Sequence, residues 1–272
     1  MTKRKHWKSK EKPAHDDQLS TGDGKRSSQS GSTSEGWLFG VHAVRAALKN
    51  PKRRIRRVLA TESARDKLDG IENPVAAIPS IEVVGRPDID ARVGPDIVHQ
   101  GVALLADPLE ETAIEDIIHA TKGSTGTVLV VLDQATDPRN IGAVLRSAAA
   151  FGCACVILPE RRSPGTTGTL AKSAAGALET VPIVHVTNLA RALETLKKEG
   201  FWCIGLDGHA DTTITDQNWS GNTVLVLGAE GSGLRRLTKE TCDSLVSIPI
   251  SGIESLNLSN AAAVALYEIR RK

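Results

Sequence analysis

The chain has 272 residues, of which 40% are hydrophobic and 24% are charged, and its net charge is +2. A chain of this length can form one large or two modest domains. Its apolar runs are shorter than the ~20 residues that a membrane-spanning helix requires, and no secretory apolar segment follows the N-terminus. We therefore expect a cytoplasmic protein without a membrane segment.

The N-terminal segment is basic and polar. Residues 3–12 read KRKHWKSKEK, and residues 27–36 are almost entirely small and polar. Such a segment buries too little apolar surface to offset its ordering entropy, so residues 1–35 are predicted to be a disordered basic arm. Contacts with nucleic-acid phosphates would suit this arm, and a solubilising tail or part of a targeting sequence is the alternative.

The cysteines and histidines lack the spacing of a metal site. Cys153 and Cys155 lie two residues apart on a probable strand, so both side chains point to one face. Cys203 and Cys242 stand alone, and the histidines lie in separate segments. We predict buried thiols and no metal.

Residues 36–108 are predicted to form a small α/β domain. Apolar residues at helical spacing predict a helix within 37–50, which Pro51 closes. Strands are predicted at 56–61, 81–85 and 101–107, with a helical segment at 64–71. Residues 109–126 are predicted to be a linker that contains a helix at 113–120.

Residues 127–272 are predicted to form a second α/β domain. Short apolar strands alternate here with helical patterns, and a helix within 255–271 closes the chain. The strands are expected at 127–133, 153–159, 181–186, 201–207, 223–228 and 244–250. Their near-continuous apolar character predicts a parallel, doubly wound sheet that is buried on both faces. Ligands of such sheets bind beyond the carboxyl ends of the strands.

The first unusual segment follows the strand at 127–133 and reads DPRNIGAVLRSAAAFG over 137–152. Asn140 and Arg146 are six residues apart, which is not the spacing of a side-chain pair on one helix face. Gly142 allows close approach of another group. Taken alone, the segment is also compatible with a capping asparagine and a solvent-exposed arginine.

The second segment, LGAEGSGLRRL at 227–237, surrounds one carboxylate, Glu230, with glycines. It lacks the lysine of a phosphate-binding P-loop and the spacing of a dinucleotide-binding turn. Such a turn suits a ligand with hydroxyls or a positive centre, and an ordinary flexible turn is the alternative.

The third segment covers 247–271, where polar residues crowd the start of the last helix. These residues are Ser255, Asn257, Ser259 and Asn260. One or two of them would suffice to cap the helix, so we expect some to face a ligand.

In this order, the three segments resemble the signature motifs of the SpoU-type (TrmH-like) RNA ribose 2′-O-methyltransferases. The matching stretches are N-I-G-A-V-L-R-S-A from Asn140, LGAEGSG at 227–233, and Ile248 through Ala263. Residues 37–107 resemble the small substrate-binding domain that precedes this enzyme core. The resemblance implies a deep C-terminal trefoil knot, S-adenosylmethionine (AdoMet) as methyl donor, an RNA substrate and a homodimer.

The resemblance also implies the roles of individual residues. The implied catalytic residues are Asn140, Arg146, Glu230, Ser255 and Asn257. The implied cofactor-binding residues are Leu227, Gly228, Gly231, Ile248 and Leu256. The third motif departs from the family pattern, because one residue fewer than expected separates Ile250 from Ser255.

Basic residues, most of them arginines in short runs, are the expected RNA contacts. The candidates are Lys52, Arg53, Arg54, Arg56 and Arg57, with Arg139, Arg161, Arg162, Arg235 and Arg236. Each basic run is also compatible with a solvated surface. Aromatic residues make up only 3% of the chain, which argues against base-stacking platforms and favours recognition of RNA shape and backbone.

The resulting functional prediction is AdoMet-dependent methylation of a ribose 2′-hydroxyl. A guanosine of large-subunit rRNA is the first predicted substrate. A tRNA ribose methyltransferase is the alternative enzyme. A non-catalytic RNA-binding or ribosome-assembly factor is the alternative of another class.

Overall fold

The computed structural model describes residues 36–73, 78–161 and 163–271. The predicted arm at 1–35 and Arg162 lie outside these residues. The first domain contains, in chain order, β1 (Trp37–Phe39), α1 (Val41–Lys49), β2 (Ile55–Ala60), α2 (Glu62–Arg65), a 3₁₀ turn (Asp66–Leu68), β3 (Ile81–Val83), α3 (Arg86–Val93) and β4 (Val102–Ala106). Its sheet has the order β1-β4-β2-β3, in which β4 is antiparallel to both neighbours and β2 is parallel to β3.

Three elements of this domain differ from the sequence prediction. The helical segment expected at 64–71 is instead α2 followed by the 3₁₀ turn, which ends at Leu68. The helix expected within 37–50 begins only at Val41, because Trp37–Phe39 are buried and pair with β4. Helix α3 was not predicted, since only Ile89 and Val93 of its residues are buried and this pattern is too sparse to read.

The second domain follows helix α4 (Ile114–Thr121), which lies within the predicted linker. Its elements are β5 (Val128–Leu132), α5 (Pro138–Ala150), β6 (Cys155–Pro159), α6 (Gly168–Ala174), a 3₁₀ turn (Ala177–Glu179), β7 (Ile183–Val186), α7 (Leu189–Lys198), β8 (Phe201–Leu206), β9 (Asn222–Leu227), α8 (Arg236–Thr241), β10 (Ser244–Val246) and α9 (Leu258–Arg270). The sheet order is β10-β8-β9-β5-β6-β7, and every pair is parallel.

Alternate residues of the central strand β5 face two different hydrophobic cores. Val128, Val130 and Leu132 pack into the core that includes α5, α6 and α9. Leu129 and Val131 pack into the core that includes α7. The predicted doubly wound parallel sheet is therefore confirmed, whereas the trefoil knot stays a prediction of the resemblance.

The two domains share one core where α1 and β1 meet α6. Val44 and Leu48 of α1 belong to the same buried cluster as Leu170 of α6. The contact is close at Gly168, where an added Cβ would lie 2.3 Å from the ring of Phe39. A glycine is needed here because any side chain would collide with β1.

A buried ion pair also joins the domains. Arg53 and Glu179 are only 3% and 4% exposed, and the guanidinium Nη2 lies 2.7 Å from Glu179 Oε1. Asn50 Nδ2 donates to Glu179 Oε2 at 2.6 Å, and Arg53 Nη1 donates to the Asp107 carbonyl. We name this group the interdomain ion pair. It corrects the expectation that Arg53 contacts RNA, because its guanidinium is buried and fully engaged.

The thiols are inert in this fold. Cys153, Cys155 and Cys203 are buried as predicted, and Cys242 is half-buried. Burial raises the pKa of all four thiols to about 12, so little reactive thiolate forms near neutral pH. Among the helices of the described residues, none combines the length and apolar character needed to cross a membrane.

Candidate active site

The three predicted segments meet at one edge of the second sheet. Its strands are all parallel, so their carboxyl ends share an edge. The turn into α5 follows β5, the glycine-rich loop 228–235 follows β9, and the segment 247–257 leads from β10 to α9. Helix α5, which follows the first segment, packs against helix α9, which follows the third.

One carboxylate oxygen connects the three segments. Glu230 Oε1 accepts hydrogen bonds from Asn140 Nδ2 at 2.8 Å, Asn257 Nδ2 at 2.6 Å and the backbone N–H of Leu258 at 3.1 Å. Asn257 Nδ2 also lies 3.2 Å from Asn140 Oδ1. We name Asn140, Glu230 and Asn257 the amide–carboxylate cluster. Positions 140, 230 and 257 are far apart in sequence, yet their side chains form one hydrogen-bonded group.

Asn257 has a second task as the N-cap of α9. Its Oδ1 accepts from the Ser259 N–H at 2.9 Å and from Ser259 Oγ at 2.6 Å. Capping and the cluster therefore use opposite ends of one amide, which fixes its orientation. Ser255 lies exposed two residues earlier, and its hydroxyl makes no hydrogen bond to the part of the chain that the structure describes.

The glycine-rich loop is folded back on itself. Ala229 N–H donates to the Gly233 carbonyl at 3.2 Å, and Gly233 N–H donates to the Ala229 carbonyl at 2.9 Å. A Cβ on Gly228 would lie 2.1 Å from the carbonyl carbon of Gly233, so this tight return requires glycine. The turn presents Glu230 outward, and Glu230 is exposed.

A buried aspartate holds the far end of the loop. Asp133 is fully buried at the end of β5, and its carboxylate accepts from Arg235 Nε at 2.7 Å and Arg235 N–H at 3.0 Å. Arg235 therefore anchors the loop while its side chain stays 49% exposed, so its interpretation as an RNA contact stays a prediction. Asp133 was not among the predicted site residues, although an acidic residue directly after a buried strand indicates such a position.

We expect Gly228→Ala to lower the free energy of unfolding by about 1–3 kcal/mol, because the methyl group collides with backbone that cannot move aside freely. Gly208→Ala is the matched control, since nothing lies within 4 Å of its added Cβ. Urea denaturation of both variants measures the difference. Equal stability of the two variants would show that the backbone of Gly233 does not approach Gly228 as closely as described.

The predicted cofactor residues lie beside the same edge. Leu227 is the last residue of β9 and is buried, whereas Ile248 and Leu256 are half-buried against the main core. Their backbone N–H groups at 248 and 256 donate no hydrogen bond to other described residues. Apolar side chains beside free backbone donors fit the adenosine of a nucleoside cofactor. Gly231 is exposed at the loop tip with φ 78°.

Arg146 does not join the amide–carboxylate cluster of its own chain. It lies six residues beyond Asn140 on α5, which is about 9 Å along the helix axis. Its side chain is exposed and lines a separate cavity with residues of α1 and the end of α6. Of the five predicted catalytic residues, Asn140, Glu230 and Asn257 are in direct contact. Ser255 lies two residues before Asn257 in the chain, and Arg146 lies apart from the cluster.

The remaining predicted RNA contacts differ in how free their charges are. Arg56 and Arg57 donate to Asp107 and Glu82, and these hydrogen bonds lower the pKa of both carboxyl groups. Arg54 is 82% exposed and lies 3.8 Å from Asp107. Arg139 is exposed beside Asn140 at the start of α5.

Gly142 is explained by packing. Its added Cβ would lie 2.6 Å from the Leu170 carbonyl oxygen and 2.6 Å from Ser173 Cβ. Helix α6 is therefore the group that approaches this glycine. Its packing fixes the position of α5, and α5 carries Asn140. In the described part of the chain, no group of three or more His, Cys, Asp or Glu side chains could hold a metal ion.

The chain is similar to known proteins over most of its length. Residues 127–267 match the model of the SpoU rRNA methylase family, and residues 37–112 match that of the RNA 2′-O ribose methyltransferase substrate-binding domain. A Pseudomonas aeruginosa protein named 23S rRNA (guanosine-2′-O-)-methyltransferase RlmB is 40% identical over 239 residues, which cover 86% of this chain and 96% of that protein. The protein of the same name from Xanthomonas campestris is 41% identical, with 87% and 96% covered.

Solved structures show the same fold. The SpoU methyltransferase AviRb from Streptomyces viridochromogenes, in complex with AdoMet, has a TM-score of 0.70 at 24% identity and covers 86% of this chain and 89% of its own. A structure described as an RNA 2′-O ribose methyltransferase has a TM-score of 0.70 at 22% identity, with 86% and 87% covered. Two family models match the chain, relatives about 40% identical align over nearly their whole length, and the three motifs converge in the structure. The chain therefore belongs to the SpoU rRNA methylase family.

Proposed function

We propose that this protein transfers a methyl group from AdoMet to the ribose 2′-hydroxyl of a guanosine in 23S rRNA. The observation that carries the proposal is the amide–carboxylate cluster, which unites all three family motifs at the carboxyl edge of the sheet. The substrate is supported by relatives of that name, about 40% identical over nearly their whole length. A ribosomal RNA substrate in turn supports a cytoplasmic location.

The cofactor would lie between the glycine-rich loop and the segment 247–256. Leu227, Gly228, Gly231, Ile248 and Leu256 are the proposed contacts, with half-buried apolar side chains for the base and backbone groups for its polar edge. When bound, AdoMet supplies a methyl group on a positively charged sulfur. Glycine at position 228 lets the backbone of Gly233 approach closely, which shapes the loop beside this ligand.

The amide–carboxylate cluster would fix the position of the ribose relative to the glycine-rich loop. Glu230 Oε1 is already saturated by three donors, so its second oxygen remains for a ribose hydroxyl. Ser255 would order the segment over the cofactor. Holding the 2′-oxygen in line with the methyl group can lower the barrier by several kcal/mol, and about 7–11 kcal/mol at best.

Arg146 would stabilise the developing alkoxide or the adjacent phosphate. A guanidinium stays protonated in proteins, so it cannot serve as the general base, and a substrate phosphate would accept the hydroxyl proton. Because Arg146 lies apart from the cluster of its own chain, the RNA must contact both places, or a second subunit must bring them together.

A homodimer is part of the proposal. The sequence suggests that the alanines of α9 favour close helix packing, but Ala261, Ala262 and Ala265 are buried in the chain's own core. The opposite face exposes Val264 and Tyr267, which are 43% and 57% accessible. These apolar side chains support pairing through α9, and sedimentation equilibrium would measure it.

We expect Arg146→Lys to lower methyl transfer at least tenfold, because lysine keeps the charge but loses the planar, forked donor. Arg191→Lys is the control, since Arg191 is exposed on α7 and is not among the predicted RNA contacts. Transfer of labelled methyl groups to 23S rRNA measures both. Near-normal turnover by Arg146→Lys would rule out the forked contact.

The assay that tests the proposed function compares substrates. Purified protein is incubated with labelled AdoMet and, separately, with unmethylated 23S rRNA and with total tRNA. Incorporation into rRNA alone is the expected result. Incorporation into tRNA would favour the alternative enzyme, and binding of rRNA without incorporation would favour a non-catalytic assembly factor.

A further inference from the structure

We propose that the cavity between α1, α5 and the end of α6 binds a phosphodiester of the substrate RNA, and that His42 positions it. This proposal rests on the proposed function and adds a residue of the small domain to the substrate site. We name this space the interdomain cavity. It is lined by His42, Ala46, Arg146, Ala149, Ala174, Ala175, Gly176, Ala177 and Thr180.

Most side chains that line the interdomain cavity are small. Five alanines and one glycine leave a space of about 480 Å³, which is in the size range of ligand-binding clefts. The polar side chains that line it are His42, Arg146 and Thr180. Small walls with a few polar groups suit an extended ligand such as a sugar–phosphate segment.

The charge in the cavity is uncompensated. Arg146 makes no ion pair or hydrogen bond with the residues that the structure describes, whereas Arg53, Arg57 and Arg235 each bind a carboxylate. The cavity lining includes no aspartate or glutamate. An unpaired guanidinium with neighbouring donors favours an anion, and the anion that RNA offers is its phosphate.

Contacts on both sides hold helix α1, which carries the exposed His42 at the wall. His42 lies in the first turn of α1, where Gln100 Oε1 caps the helix by accepting from the Val41 N–H at 3.0 Å. Gln100 adopts a left-handed backbone with φ 60°, which is unusual for this residue type. On the other side, an added Cβ on Gly176 would lie 2.8 Å from Ala46 Cβ, so α1 sits directly against the cavity floor.

The interdomain ion pair fixes the same geometry. Glu179 lies in the 3₁₀ turn between Ala177 and Thr180, both of which line the cavity, and it binds Arg53 of the small domain. His42 and Arg146 thus come from different domains but are held in one wall. The small domain would therefore contribute directly to the substrate site as well as recruiting RNA.

The test measures RNA binding separately from methyl transfer, using a 23S rRNA transcript and filter binding. We expect His42→Ala to weaken binding roughly ten- to hundredfold, the effect of losing a hydrogen bond to a charged group. His42→Asn, which keeps an N–H donor, should recover part of this loss. Arg146→Ala should reduce the slope of log affinity against log salt by about one, as loss of one phosphate contact predicts.

The control is His119→Ala, because His119 is exposed on α4 and lies outside the cavity lining. AdoMet affinity by calorimetry should be unchanged in His42→Ala, which shows that the variant is folded. Wild-type RNA affinity in His42→Ala, or an unchanged salt slope in Arg146→Ala, would overturn the proposal. If the wild-type chain binds this RNA but transfers no methyl group, the proposed function fails while the binding comparison still decides the role of the cavity.

Discussion

We expect Glu230→Ala to lower the rate of methyl transfer roughly a hundredfold, the scale of loss when reacting groups are displaced by about 1 Å. The substitution removes the acceptor of three hydrogen bonds at once and releases Asn140, Asn257 and the first N–H of α9. The loop and the helix start then lose their common anchor. Single-turnover transfer of labelled methyl groups to 23S rRNA measures the effect.

A graded series separates geometry from charge. Glu230→Gln keeps an acceptor oxygen at nearly the same position, so we expect its activity to stay within about tenfold of wild type if geometry dominates. Glu240→Ala, which removes an exposed carboxylate of α8, should leave activity unchanged. Equal activity of Glu230→Ala and Glu240→Ala would show that the amide–carboxylate cluster does not support the reaction.

We expect Glu179→Ala to lower the free energy of unfolding by about 3–5 kcal/mol, because Arg53 would remain as a buried charge without a partner. Asn50 would lose its acceptor as well. Urea denaturation measures the loss. The Arg236–Glu240 pair is the surface counterpart, and Glu240→Ala should cost less than about 1 kcal/mol.

A paired substitution provides the discriminating control. Arg53→Met combined with Glu179→Leu removes both charges, so its unfolding free energy should lie well above that of Glu179→Ala. A double variant no more stable than Glu179→Ala would mean that shape at this junction matters more than charge. If Glu179→Ala is as stable as wild type, the interdomain ion pair does not hold the domains together.

The architecture of the second domain could be read from the sequence because its strands carry a strong signal. Residues such as Val128 to Leu132 are apolar on both faces, and only a sheet covered on both sides buries such a run. Trp37–Phe39 carried no comparable signal, since three apolar residues suit a strand or a helix start equally.

The sequence predicted three residues that come into contact, but it did not predict the contacts themselves. The motifs indicate that Asn140, Glu230 and Asn257 converge, yet only coordinates reveal that one oxygen of Glu230 binds both amides. The charge run at 52–57 could not reveal that Arg53 is buried, because its partner Glu179 is distant in sequence. Spacing on α5 likewise could not show that Arg146 faces the interdomain cavity.

The central claim is that the three segments form one site for methylation of a ribose oxygen. The most direct measurement is mass spectrometry of nucleosides from 23S rRNA after incubation with the protein and AdoMet. We expect 2′-O-methylguanosine in the wild-type reaction and very little in the Glu230→Ala reaction. A methyl group found on a base, or no modified nucleoside with the wild-type protein, would contradict it.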